Sequence, residues 1–258
     1  MKRNVVLTLI LFLSAICVRA QLNCTFTHYT QENGLSQNTI MDMIQDSDGL
    51  IWFATWNGIN RFDGYEFRIY KAHKDNDSQW SSNRVDKLDM DSHGNVWCLS
   101  YDGRAFRFDK RQEAFHEIKP KGDIDFFADR IYTLDNSSVW LLSPESGAVR
   151  VTGDSATFEN YGKVNNVFLD SRQHEWVLTD DGLRCIDAKT NKQSTYFATN
   201  KKTKAADKQN FLSAVEADGK IYFGSDKGRI WVNNIKTGEF TMHTIDANDD
   251  VFYMESLK

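Results

Sequence analysis

The 258 residues contain no Gly-x-Ser-x-Gly elbow, no phosphate-binding loop and no dinucleotide fingerprint, and no kinase motif. Enzyme classes that announce themselves by such motifs are set aside. The six histidines show no metal-ligand spacing, and His93 and His174 read as solvated turn residues. Asp46, Asp48 and Gly49 share only part of a calcium loop, without its Glu or its full spacing. No cofactor and no metal are therefore expected. Basic charge is not in excess: the net charge is −5 and no basic stripe occurs, which argues against nucleic acid as a partner. Cysteine is scarce too. Of four, Cys17 falls in the leader described next; Cys24, Cys98 and Cys185 make an odd number, which argues against a disulfide framework. Cys98 and Cys185 fall in strand-like segments and read as small buried hydrophobes.

Long apolar runs are absent after the first 20 residues. Those begin with Lys2 and Arg3, continue apolar from Val5 to Ile16, and end in Val18-Arg19-Ala20. This is the layout of a secretory signal peptide over 1–20, too short for a comfortable membrane span. The mature part is thus expected outside the cytoplasm, at 21–258.

What the chain does have is a repeat. Asp46-Ser47-Asp48-Gly49 is turn chemistry, Leu50–Thr55 suits a buried strand, and Asn57-Gly58 predicts a type I′ hairpin. The unit returns at Asp91–Trp97 with Tyr101-Asp102-Gly103, and at Asp135–Trp140 with Glu145-Ser146-Gly147. It returns again at Asp170–Trp176 with Asp180-Asp181-Gly182, and at Glu216–Tyr222 with Asp226-Lys227-Gly228. The anchor aromatics Trp52, Trp97, Trp140, Trp176 and Tyr222 step by 45, 43, 36 and 46 residues. That period, with alternation in twos, predicts an all-β fold: a β-propeller of four-stranded blades. Large rings are natural wedges between blades, so the anchors read as core.

The predicted blades are 39–79, 80–126, 127–162, 163–208 and 209–247, with a polar insertion at Lys201–Lys208. Phe26–Thr30 reads as a strand that closes the ring, and 250–258 as the first strand of a sixth blade. Five blades and part of a sixth would leave an apolar face bare, so the chain reads as an incomplete propeller, a piece of something longer.

A ligand site in such a fold is expected where second-to-third-strand hairpins meet the interblade linkers. The candidates there are Trp56, Asn57, Trp80, Asn83, Tyr101, Asp102, Arg130, Tyr161 and Asp181, with Gln37, Asn38, Glu145, Asn165, Asp180, Asp226 and Lys227 nearby. Aromatics among Asn, Asp and Arg suit a sugar, which needs a flat apolar face and polar forks for hydroxyls. Turn geometry alone accounts for Asn57, Asp102 and Asp181. Trp56 and Trp80 have no such reason to stand in loops, and a rim Trp covering a neighbouring blade competes with a ligand platform.

Gly34-Leu35-Ser36-x-Asn38, followed by Ile44-x-Asp46-x-x-Gly49-x-Ile51-Trp52-Phe53-Ala54-Thr55-x-x-Gly58-Ile59-x-Arg61-Phe62-Asp63-Gly64, resembles the two-component regulator propeller repeat. The likeness is close in blades one and two, fair in four and five, and weak in three, where Pro144 enters the hairpin. The resemblance implies two seven-bladed propellers in the periplasmic sensor of a hybrid two-component histidine kinase, anchored in the inner membrane and recognising oligosaccharides. It implies as partners the remaining blades and signalling domains. Three functions remain open: a non-catalytic oligosaccharide sensor, a secreted propeller lyase or hydrolase, and a protein-interaction propeller, homodimeric through blade edges.

Overall fold

The computed structural model describes residues 25–71, 82–122, 124–145, 147–197, 208–245 and 254. The leader with Cys17, Cys24, Trp80, positions 201–207 of the polar insertion and nearly all of 250–258 lie outside the described residues.

Five four-stranded antiparallel meanders make up the fold. The first sheet is β1 (Ile40–Gln45), β2 (Ile51–Thr55), β3 (Gly58–Phe62) and β4 (Phe67–Tyr70). The second is β5 (Val85–Met90), β6 (Val96–Ser100), β7 (Ala105–Asp109) and β8 (Ala114–Glu117). The third is β9 (Arg130–Thr133), β10 (Ser138–Leu142), β11 (Ala148–Thr152) and β12 (Ser155–Glu159). The fourth is β13 (Val164–Leu169), β14 (His174–Thr179), β15 (Gly182–Asp187) and β16 (Gln193–Tyr196). The fifth is β17 (Phe211–Ala217), β18 (Lys220–Ser225), β19 (Arg229–Asn234) and β20 (Phe240–Thr244). Each sheet packs on the next through its own apolar cluster, so the architecture is that of an incomplete β-propeller.

The anchor aromatics drive that packing. Trp52, Trp97, Trp140 and Trp176 are each at most 2% exposed, and each points into the following blade. Trp52 meets Phe108 edge-on at 4.9 Å, and Trp176 meets Phe223 at 5.0 Å. Tyr222, at the same position in the fifth sheet, is only half-buried. A buried indole N–H needs an acceptor. Asp46, Asp91 and Asp170 supply one six residues upstream, at 2.7, 2.8 and 3.0 Å. The same carboxylates accept backbone N–H groups of their own turn, as Asp46 does from Asp48 and Leu50, both at 3.0 Å. The calcium-like spacing of Asp46 thus serves a turn and an indole.

The third blade is built differently. Leu134, not Asp135, stands six residues before its Trp, and Ser137 takes the left-handed φ of +69° that Gly49 and Gly94 take in blades one and two. The Trp140 N–H donates instead to Glu175 of the fourth blade, at 3.0 Å. Glu175 is fully buried and also accepts from Arg150 at 2.7 and 2.9 Å and from Asn136 at 2.7 Å.

Three expectations are corrected. Residues 26–30 form no strand; Tyr29 packs edge-on against Phe62 and Phe67 of the first blade, while Phe26 is 92% exposed. Asn57-Gly58 is not a type I′ pair, because Asn57 does not adopt positive φ and Thr55 pairs with Gly58. Trp56 and Asn57 occupy the two corners, and Gly58 follows at φ +107°. His174 is not a solvated turn residue: it opens β14, and its Nδ1 lies 3.5 Å from Asp170.

Candidate functional site

The second-to-third-strand hairpins are stitched to the linkers entering the next blade. Gly58 N–H donates to the Asn83 carbonyl at 2.7 Å, the Gly103 carbonyl accepts from Ala128 N–H at 2.8 Å, and Gly182 N–H donates to the Gln209 carbonyl at 2.9 Å; Tyr101 N–H, by contrast, donates to the Arg84 carbonyl in the linker entering its own blade, at 2.9 Å. The outer strand of the same blade explains the glycine at the hairpin exit. A Cβ on Gly58 would lie 2.5 Å from the Tyr70 carbonyl, and one on Gly147 2.5 Å from that of Glu159.

The structure brings Trp56 and Tyr101 to one place. They are 49% and 63% exposed, and the Arg84 guanidinium lies over both rings, 5.2 Å from one centroid and 4.0 Å from the other. Cation–π contact favours this arrangement. Arg84 Nε donates to Asp86 at 2.9 Å, and the Trp56 indole N–H donates to Met41 Sδ at 3.0 Å. Along the same rim, Phe127 is 47% exposed, with Arg104 over it at 4.6 Å; Arg104 also pairs with Asp125 at 2.7 Å. Asn83 contributes its carbonyl. Asp102 accepts from Ser100 Oγ at 2.5 Å, and the Asn57 side chain donates to the Ser36 carbonyl at 3.4 Å.

The other candidates stand apart from this cluster. Arg130 clamps the carbonyls of Asn165 and Val164 at 2.5 and 3.0 Å, which makes it a brace between blades three and four. Tyr161 is half-buried along a groove of about 420 Å³ with Thr157 and Gln193. Burial, and then the Glu159 carboxylate, push its phenol well above the usual value. Asp181 donates its N–H to Thr179 Oγ1 at 3.0 Å in its turn, and Asp180 pairs with Lys208 at 2.9 Å. Asp226 pairs with Arg229 at 2.7 Å, and Asn165 donates to Asn210 at 2.7 Å. Among the described residues, no cluster of three His, Cys, Asp or Glu could hold a metal, and no helix is long and apolar enough to cross a membrane. Cys98 and Cys185 are buried, and burial raises both thiols, that of Cys185 to about 12, so neither is a nucleophile.

Sequence reasoning missed Arg84, Arg104 and Phe127. Arg84 and Phe127 lie in or beside linkers with no period of their own. The one available signal was a basic residue directly after the Ser81-Ser82-Asn83 turn cluster.

The family model for the two component regulator propeller matches residues 34–57, within the stretch quoted above, and the chain carries that repeat. Histidine kinase P4 of Formosa agariphila is 43% identical over 72 residues, covering 27% of this chain and 5% of that protein. Among solved structures, the extracellular domain of a hybrid two component system from B. thetaiotaomicron superposes with a TM-score of 0.53 at 20% identity. That match covers 84% of this chain and 31% of the other. A computationally designed protein, Ika8, scores 0.51 at 12% identity, covering 82% of this chain and 64% of that one. At these identities the structural likeness shows the blade architecture alone.

Proposed function

We propose that this chain is the ligand-sensing propeller region of a hybrid two-component regulator, and that it recognises an oligosaccharide without turning it over. On this reading, residues 1–20 direct the region across a membrane, and the remaining blades and signalling domains of the parent protein are its partners. The repeat match and the likeness to a histidine kinase and to an extracellular two-component domain support the sensor role. One observation carries the ligand class: two exposed aromatic rings flank a guanidinium at the hairpin ends of blades one and two. Flat rings stack on the apolar faces of pyranoses, and the nitrogen fork takes their oxygen substituents. Binding without turnover fits the rim carboxylates, since Asp86, Asp102 and Asp180 are each engaged by a neighbouring side chain.

The test is calorimetry of the chain against an oligosaccharide panel, with product analysis on the same mixtures. Saturable binding is expected with no new reducing ends or unsaturated products. Trp56→Ala and Tyr101→Ala should each weaken it about tenfold, the worth of one stacked ring. Released product would instead establish a lyase or hydrolase, and a concentration-dependent mass without glycan binding an interaction module.

A further inference from the structure

We propose that the rim selects an acidic oligosaccharide, whose carboxylate or sulfate is gripped by the terminal nitrogens of Arg84. This rests on the oligosaccharide reading above and names its ligand class. Arg84 is about one-third exposed, and Asp86 engages only its Nε. Among the described residues, no hydrogen bond takes Nη1 or Nη2. A guanidinium offers five N–H donors in a planar fork, and the edge bearing both terminal nitrogens matches two oxygens of a carboxylate or sulfate. The rings of Trp56 and Tyr101 hold the plane of that fork. They spare the ligand the entropy of ordering a long side chain.

The neighbours sharpen the assignment. Arg104 also lies on an aromatic ring of the rim, but Asp125 and Glu117 occupy its two terminal nitrogens at 2.7 and 3.4 Å. Arg130 spends its terminal nitrogens on backbone carbonyls. Of these three guanidiniums on the rim, only that of Arg84 keeps its bidentate edge open. Exposed rings on both sides then place an anionic substituent in the middle of a sugar chain rather than at its end.

The experiment compares trigalacturonate, a sulfated galactan tetrasaccharide and neutral galactotetraose by calorimetry on the whole chain. Tenfold or tighter binding of at least one acidic probe over the neutral one is expected, weakening as salt rises. Which acidic probe wins distinguishes carboxylate from sulfate. Arg84→Met should abolish the preference. Arg84→Lys keeps the charge but loses the fork, so acidic binding should weaken about tenfold. Asp86→Asn removes a competing carboxylate and should tighten acidic binding several-fold, a gain that damage to the fold cannot mimic. Equal or tighter binding of the neutral probe, or a preference that survives Arg84→Met in a protein with native circular dichroism, overturns the proposal and leaves the oligosaccharide reading intact. Binding of none of the three, nor of any member of the wider panel, overturns that reading and this one with it.

Discussion

Blades one and three solve the same problem with different parts. In blade one, Trp52 finds its acceptor on Asp46, within its own sheet. In blade three, Trp140 finds it on Glu175, which belongs to blade four. Both indoles are buried and both are hydrogen-bonded. The cost of an unpaired buried N–H is therefore met in each case, but by a different element. Blade one has its anchor as soon as its own hairpin forms. Blade three has none until blade four is docked. The lesson is that a repeat conserves the physical requirement, an acid facing an indole, more strictly than the position that supplies it. The cation over the ring, by contrast, keeps its position: Arg61, Arg107 and Arg150, each directly across the strand from its Trp, sit 5.6, 5.7 and 5.9 Å from Trp52, Trp97 and Trp140.

The sharpest way to break the comparison is Glu175→Ala. It strands the partly buried Arg150 charge, the Asn136 amide and the buried Trp140 N–H together, and is expected to cost roughly 3 kcal/mol in urea unfolding. Asp91→Ala, which removes the local acceptor in blade two, is expected to cost roughly 1–3 kcal/mol. Equal losses would show that the borrowed anchor is no different in kind. Leu134→Asp combined with Glu175→Ile rebuilds the local arrangement in blade three, and its midpoint should fall between that of Glu175→Ala and that of the parent chain.

Where the two blades are built alike, they should respond alike. Gly58→Ala and Gly147→Ala each drive a Cβ against a backbone carbonyl at a residue with φ near +100°. Each should lose roughly 2–3 kcal/mol by the same unfolding assay. A large difference between them would mean that the hairpin exits are not equivalent.

The smallest effect is on acid stability. Burial raises the Asp91 and Asp170 carboxyls, but hydrogen bonds outweigh it: from Asn95 and the Trp97 indole for Asp91, and from the Trp176 indole and the His174 N–H for Asp170. Both groups end below the ordinary value of 3.8. A depressed folded-state value means that the stabilisation is present above about pH 4 and is lost as pH falls through the lower folded-state values. Unfolding midpoints should therefore drop as the pH falls below the ordinary carboxylate value of 3.8, and Asp91→Asn should flatten that drop.

The blade repeat was legible because the Trp step and the Asp-x-x-Gly turn recur within one sheet, where sequence distance and spatial distance agree. The borrowed anchor was not, because Glu175 acts 35 residues from Trp140 and across a seam. Its trace is a lone charge where the other blades carry Ile51, Val96, Val139 and Ile221. Trp56 and Tyr101 could be placed on the rim from hairpin position alone. Their common partner Arg84 could not, since linker residues follow no alternation. The Asn57-Gly58 dipeptide suggested the wrong turn because Thr55 Oγ1 caps the corner, accepting from Asn57 N–H at 3.0 Å and donating to the Gly58 carbonyl at 2.7 Å, which holds the loop one residue earlier.

The seam position of Arg84 has a mechanical consequence. Its carbonyl is tied to the hairpin of blade two, while its side chain lies against Trp56 of blade one. A molecule seated across these three residues touches two rigid plates at their hinge line. Its arrival would resist any change in the angle between them, so occupancy is felt as stiffness at the joint, without either plate changing shape.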